Sequence, residues 1–120
     1  MAVNKTNKGN RYELEARKDL IADGFLVEKK NNSRWESNDF WGMFDIIAIH
    51  PQTGLVRLIQ IKTNATHFYK ARIEIKKWAF ENKVFALNVD CEVWLREPRK
   101  PWRRDLLALQ QQNPTLQNPS

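Results

Sequence analysis

The chain is short of the residues that staple small proteins together. Among its 120 residues there is a single cysteine, Cys91, which excludes an internal disulfide framework and a cysteine-rich zinc site. The two histidines, His50 and His67, are too far apart in sequence for a zinc motif and carry no assigned role at this stage. No apolar run approaches the ~18 residues that a membrane span needs. The opening MAVNKTNKGN lacks the apolar stretch of a secretory leader, so a soluble, cytoplasmic protein is expected. Internal repeats and long single-sign charge blocks are also absent.

What is present is enough for one core. Hydrophobic residues make up 42%, with five Trp, two Tyr and six Phe, which argues against wholesale disorder. The length suits one domain. Twenty Lys and Arg against fourteen Asp and Glu leave a net charge of +6, which favours a polyanionic partner over charge that serves solubility alone. The expected organisation is a domain over 1–108, with residues 1–7 flexible, and a disordered tail over 109–120, where QQQNPTLQNPS is poor in apolar residues.

Tyr12, Ala16 and Leu20 recur at helical spacing, and Gly24 is a suitable stop, so residues 9–23 are expected to form a helix. A short strand over 25–29 follows, then a polar, aromatic-bearing loop over 30–42. Residues 43–50 and 55–62 read as strands joined by the turn PQTG. A helix is expected over 71–83, and two more strands over 84–89 and 91–97. The order α-β-β-β-α-β-β gives an α/β fold, a single domain with a central mixed β-sheet flanked by helices.

The hairpin fixes which side chains meet. With residues 51–54 as the connection, His50 pairs with Leu55 and, counting outward, Asp45 falls opposite Gln60. Opposed residues share a face, and Lys62, two further on, points the same way. An acid, an amide and an ammonium therefore project from one patch flanked by Ile46, Ile47, Ile59 and Ile61. On a solvated sheet this would be a plain Asp45–Lys62 ion pair. MFDIIAIH lacks the alternation of a half-solvated strand, so both faces are expected to be covered. Polar groups placed in such a sheet are costly unless paired or functional. The set suits metal-assisted phosphodiester hydrolysis: oxygen donors hold Mg²⁺, and the lysine orients water or stabilises developing negative charge.

Asp45 followed by Gln60-Ile61-Lys62 resembles the core of the PD-(D/E)XK nucleases. The upstream segment Lys8-Gly9-Asn10-Arg11-Tyr12-Glu13, its helix and then Asp23-Gly24-Phe25 resemble the opening of archaeal-type Holliday junction resolvases. HFYKARIEIKKWAFENK is similar to that family's strand-then-helix region, so the likeness spans about 8–86. The resemblance implies a restriction-endonuclease-like fold and paired, symmetric nicking of four-way DNA junctions by a homodimer. It implies Mg²⁺, with Mn²⁺ able to substitute, and no small-molecule cofactor. Glu13, Asp45 and Gln60 would be metal ligands, and Lys62 the catalytic lysine. Two positions depart from the pattern: Phe44 stands where many members have Pro, and Gln60 where the family usually has Glu. Without the resemblance, Glu13 and Arg17 would be an ordinary helix-surface pair.

Lys8, Arg11, Ser33, Arg34, Lys70 and Arg72 are the expected DNA-binding residues; Ser33 or Ser37 matches a mobile-loop serine of that family. Lys76 and Lys77 suit a solvated helix face equally well. Trp35 and Phe40 suit stacking on unpaired bases, whereas Trp41 suits core or dimer packing, as do Ile73, Trp78, Phe80 and Phe85. The basic run Arg96–Arg104 reads as a DNA-contacting extension or a linker. Two other functions remain open at this stage: another nuclease of the superfamily (restriction, flap or single-strand type), and a DNA-binding relative without catalysis.

Overall fold

The computed structural model describes the backbone of residues 2–29 and 39–107, and the side chains of 11–29, 39–84 and 86–107. The elements are α1 (Ala2–Ala22), β1 (Leu26–Lys29), β2 (Ile46–Ile49), β3 (Val56–Lys62), α2 (Ala65–Glu81), a 3₁₀ turn (Val84–Ala86), β4 (Val89–Leu95) and β5 (Arg103–Leu106). The sheet runs β1-β2-β3-β4-β5. Its pairs are antiparallel except β3–β4, which is parallel and bridged by α2.

The expected hairpin is present in register. Ile46 pairs with Ile59 and Ile49 with Val56. His50 N–H donates to Leu55 O and Gly54 N–H to His50 O, each at 2.8 Å, closing the turn where PQTG placed it. Both faces of the sheet are covered, as the unbroken apolar run requires. One face packs Leu58, Cys91, Val93 and Leu95 against Phe68, Ala71, Ile75 and Ala79 of α2. The other packs Ile46, Ala48, Ile59 and Trp94 against Ala16 and Leu20 of α1. Burying these two aliphatic layers contributes most of the favourable folding energy, at about 1.5–3 kcal/mol per large apolar side chain.

α1 ends as Gly24 suggested. Gly24 has φ +94°, its N–H donates to Ile21 O at 3.0 Å, and Phe25 N–H reaches back to Leu20 O at 3.1 Å. This is the double bond of a Schellman stop, which a left-handed glycine permits. The helix starts seven residues earlier than expected, because Gly9 alone costs only about 1 kcal/mol in a helix interior.

Four other expectations are corrected. α2 begins at Ala65, not 71, because Asn64 caps it by accepting from His67 N–H at 3.1 Å. HFYK is therefore helix, not strand. Residues 84–89 do not form a strand: Lys83 turns left-handed (φ +55°) and a 3₁₀ turn reverses the chain into β4, which takes Val89–Leu95 instead of 91–97. The last strand comes from the basic segment, as β5 on the sheet edge. Of the core-or-interface expectation for Trp41, Ile73 and Phe80, the core half is excluded: they are 61%, 71% and 64% exposed.

The basic segment is neither a free DNA arm nor a linker. Arg104 donates to Asp19 at 2.6 Å and lies 4.0 Å over the Trp94 ring. Arg96 pairs with Glu15 at 3.2 Å, and Trp102 Nε1 donates to Glu15 at 2.8 Å. These contacts strap β5 to α1. No described helix is long and apolar enough to cross a membrane. The side chains of Lys8 and Phe85, the loop residues Ser33, Arg34, Trp35 and Ser37, and the tail over 109–120 lie outside the described residues.

Candidate active site

Asp45 is locked onto β3 from two directions. Its N–H donates to Ile59 O at 2.8 Å, and its Oδ2 accepts from Ile61 N–H at 2.8 Å. The carboxylate is thereby oriented at the end of β2 with 6% exposure. The regular register ends at Ile46–Ile59: Asp45 N–H shares the Ile59 carbonyl that stands opposite Ile46, so the ladder bulges at Asp45 instead of stepping on to Gln60. Leu58 faces the α2 layer, so Gln60 and Lys62 face it too, while Ile59 and Ile61 face α1. Gln60 and Lys62 thus share the α2 face of β3, and Asp45 is tied to the same strand through Ile61 N–H.

That face opens between β3 and α2 into a cleft of about 230 Å³, lined by Gln60, Lys62, His67, Lys70, Ala71 and Glu74. Gln60 and Lys62 form its strand side and are half-buried. Their β4 neighbours are apolar, Val93 and Leu95, so no charge competes for the lysine from that strand. Phe44, at the position where many nucleases of the resembled pattern carry proline, is fully buried. It packs edge-on to Trp78 at 5.3 Å, so this departure serves the core.

Glu13 is carried by α1, the helix that covers the opposite face of the sheet, and is 7% exposed. That burial excludes the plain helix-surface reading, since an i, i+4 surface acid stays in water. The β2–β3 hairpin carries Asp45, Gln60 and Lys62, with Gln60 and Lys62 at the cleft; Glu13 comes from a separate element.

Asp45 and Gln60 offer a carboxylate and an amide carbonyl, hard oxygen donors of the kind Mg²⁺ accepts. Mg²⁺ is usually held by one or two carboxylates, with waters and substrate phosphate completing its shell. Among the described residues no group of three His, Cys, Asp or Glu side chains gathers around one point. This agrees with a hairpin that supplies one carboxylate and one amide. The donor set fits a magnesium ion shared with substrate better than a closed protein cage.

The expected DNA-binding residues divide. Arg11 is exposed, with its guanidinium 5.1 Å from the Tyr12 ring. Lys70 is exposed and lines the cleft. Arg72 turns away: it pairs with Asp105 of β5 at 3.3 Å and is tied into the fold. Sequence reasoning missed His67 because it started α2 too late, and passed over Glu74 because nothing local ties it to the strand residues across the cleft. Placing the helix from its Asn64 cap puts residues 67, 70, 71 and 74 on one side, facing Gln60 and Lys62.

On its α1 face, away from the cleft, the sheet holds a buried charge pair. Glu92 is 1% exposed and takes Arg57 in two hydrogen bonds, at 2.6 and 2.8 Å, with a third from Trp94 Nε1 at 2.9 Å. The hydrogen bond to Glu92 holds the Arg57 guanidinium above its ordinary pKa. Burial pushes the Cys91 thiol up to about 12, and the carboxylates of Asp90 and Glu92 add to the shift.

No protein-family model matches the chain, and no curated protein does. Among solved structures it is similar to Hjc, a Holliday junction resolvase from the archaeal hyperthermophile Archaeoglobus fulgidus. The TM-score is 0.55 at 19% identity, covering 83% of this chain and 73% of that one. The five-stranded mixed sheet with a helix on each face is the restriction-endonuclease-like fold of that resolvase.

Proposed function

We propose that the chain is a structure-selective, metal-dependent endodeoxyribonuclease that resolves four-way DNA junctions by paired symmetric nicks. The observations that carry this reading are the buried Asp45, tied to β3 through Ile61 N–H, and the open cleft lined by Gln60 and Lys62, on a fold shared with a junction resolvase.

Asp45 and Gln60 would hold Mg²⁺ or Mn²⁺; Glu13, buried on α1, is the further ligand that the likeness to the nuclease pattern adds to this set. That ion supplies an acidified water and offsets phosphate charge. The backbone bond from Ile61 keeps the Asp45 carboxylate aimed before substrate arrives, so little reorganisation is needed at the moment of reaction. Lys62 donates to the attacking water or to a phosphate oxygen as charge develops there. Water adds to phosphorus, the bond to the 3′ oxygen breaks, and the products are a 5′-phosphate and a 3′-hydroxyl.

One chain carries one such face, and resolution needs two cuts. A homodimer with twofold symmetry provides two sites at fixed separation. Exposed Ile73 and Phe80, with half-exposed Tyr69, form one stripe on α2 that offers an apolar surface to bury between copies. Recognition would be of branched shape and backbone.

The test sets a labelled immobile four-way junction beside linear duplex, flap and splayed-arm DNA of the same sequences. The reading expects paired nicks in opposing strands of the junction and at least about tenfold slower cutting of the others. Equal cutting of linear duplex would make it a different nuclease of this superfamily. Light scattering is expected to give twice the chain mass, and Ile73→Glu with Phe80→Glu to lower it.

A further inference from the structure

The cleft contains two donors that the reading above leaves unused. His67 and Lys70 stand one turn apart on α2 and face Gln60 and Lys62 across the opening. Both side chains are exposed to solvent. Lysine offers three N–H donors and histidine at least one, whatever its protonation state. The capping bond from His67 N–H to Asn64 Oδ1, at 3.1 Å, fixes the first turn that carries the imidazole. Glu74 lies two turns from His67 on the same wall. The cleft therefore has cationic and N–H donors toward its Lys62 end and a carboxylate at the other. α2 runs back antiparallel to β3, which sets His67 level with Lys62 and Glu74 beyond Gln60.

We propose that His67 and Lys70 form a backbone-phosphate subsite, which seats the phosphodiester next to the scissile one on the same strand. Glu74 bounds this subsite, because a carboxylate repels phosphate, so the strand leaves the cleft past the N-terminal end of α2. The inference rests on the nuclease reading and deepens it: it assigns a direction to the bound strand and a role to two residues outside the catalytic trio.

The test is binding of a fluorescently labelled four-way junction without divalent metal, followed by anisotropy over a salt series. The variants are His67→Ala, His67→Gln, Lys70→Ala and the Ala double, with exposed Lys18→Ala of α1 as control. Each lost phosphate contact is expected to weaken binding several-fold and to lower the slope of log K against log salt by about 1 for Lys70. His67→Gln, which keeps an N–H donor, is expected to retain more affinity than His67→Ala. Lys18→Ala should match wild type. A double variant that binds like wild type with the same slope overturns the subsite and leaves the nuclease reading standing. A wild type that binds no DNA overturns both. A loss equal to that of Lys18→Ala reduces the effect to general charge and also overturns the subsite.

Discussion

An amide at position 60 removes one negative charge from a site that already faces Lys62, Lys70 and His67 across the cleft. Cation affinity follows ligand charge count. Gln60→Glu is therefore expected to lower the Mg²⁺ concentration that half-saturates cleavage, and to tighten Mn²⁺ binding measured directly by calorimetry. No change in either would mean that Gln60 does not touch the ion. Cys91 gives a prediction independent of catalysis. Its thiol is held protonated by burial, with the pKa raised from 9.0 to about 12. Below 9 the folded and unfolded chains are both protonated, and the thiol adds no pH dependence. Between 9 and about 12 the unfolded chain gives up a proton that the folded chain keeps, so stability falls as pH rises. Cys91→Ala should lose less stability across that window than wild type does in parallel melting curves. Equal loss would place the alkaline sensitivity elsewhere.

Elements differ in how far their partners lie along the chain, and that decides what could be read in advance. The hairpin of β2 and β3 is local, closed by His50, Gly54 and Leu55, so its register over Ile46–Ile49 followed from counting residues, whereas the irregular step at Asp45 did not. The stop at Gly24 was local too. β5 was not legible. Its Arg104 and the adjoining Trp102 find their partners Asp19 and Glu15 85 and 87 residues earlier, and no short-range pattern marks Arg103–Leu106 as a strand. α2 was started six residues late because the Asn64 cap went unread, and His67 was lost with it. The segment 84–89 misled because a short apolar run does not distinguish strand from turn. The Arg57–Glu92 pair between β3 and β4 offers the test at this scale. Arg57→Ala leaves a carboxylate that is 1% exposed without its guanidinium, at an expected cost of about 3–5 kcal/mol. Asn64→Ala, which removes only the cap of α2, should cost about 1 kcal/mol. Urea melts that rank the two in the opposite order would contradict this view of the core.

At the scale of the whole molecule, the likeness to an archaeal resolvase shows the fold, and the hairpin face supplies the chemical argument. The net charge of +6 is consistent with a nucleic-acid partner. Much of the charge near the C-terminal end is already consumed: Arg72, Arg96, Arg103 and Arg104 pair with Asp105, Glu15 and Asp19. The exposed cations Lys70, beside the cleft, and Arg11 are outside these pairs. The most direct measurement is cleavage of the labelled four-way junction with and without Mg²⁺, by wild type and by Asp45→Ala, with binding followed in parallel. The account predicts paired nicks that require both Mg²⁺ and Asp45, while Asp45→Ala still binds the junction. Junction binding by wild type with no cut in Mg²⁺ or Mn²⁺ would contradict it, and would make the chain a DNA-binding relative in which Gln60 marks the lost chemistry.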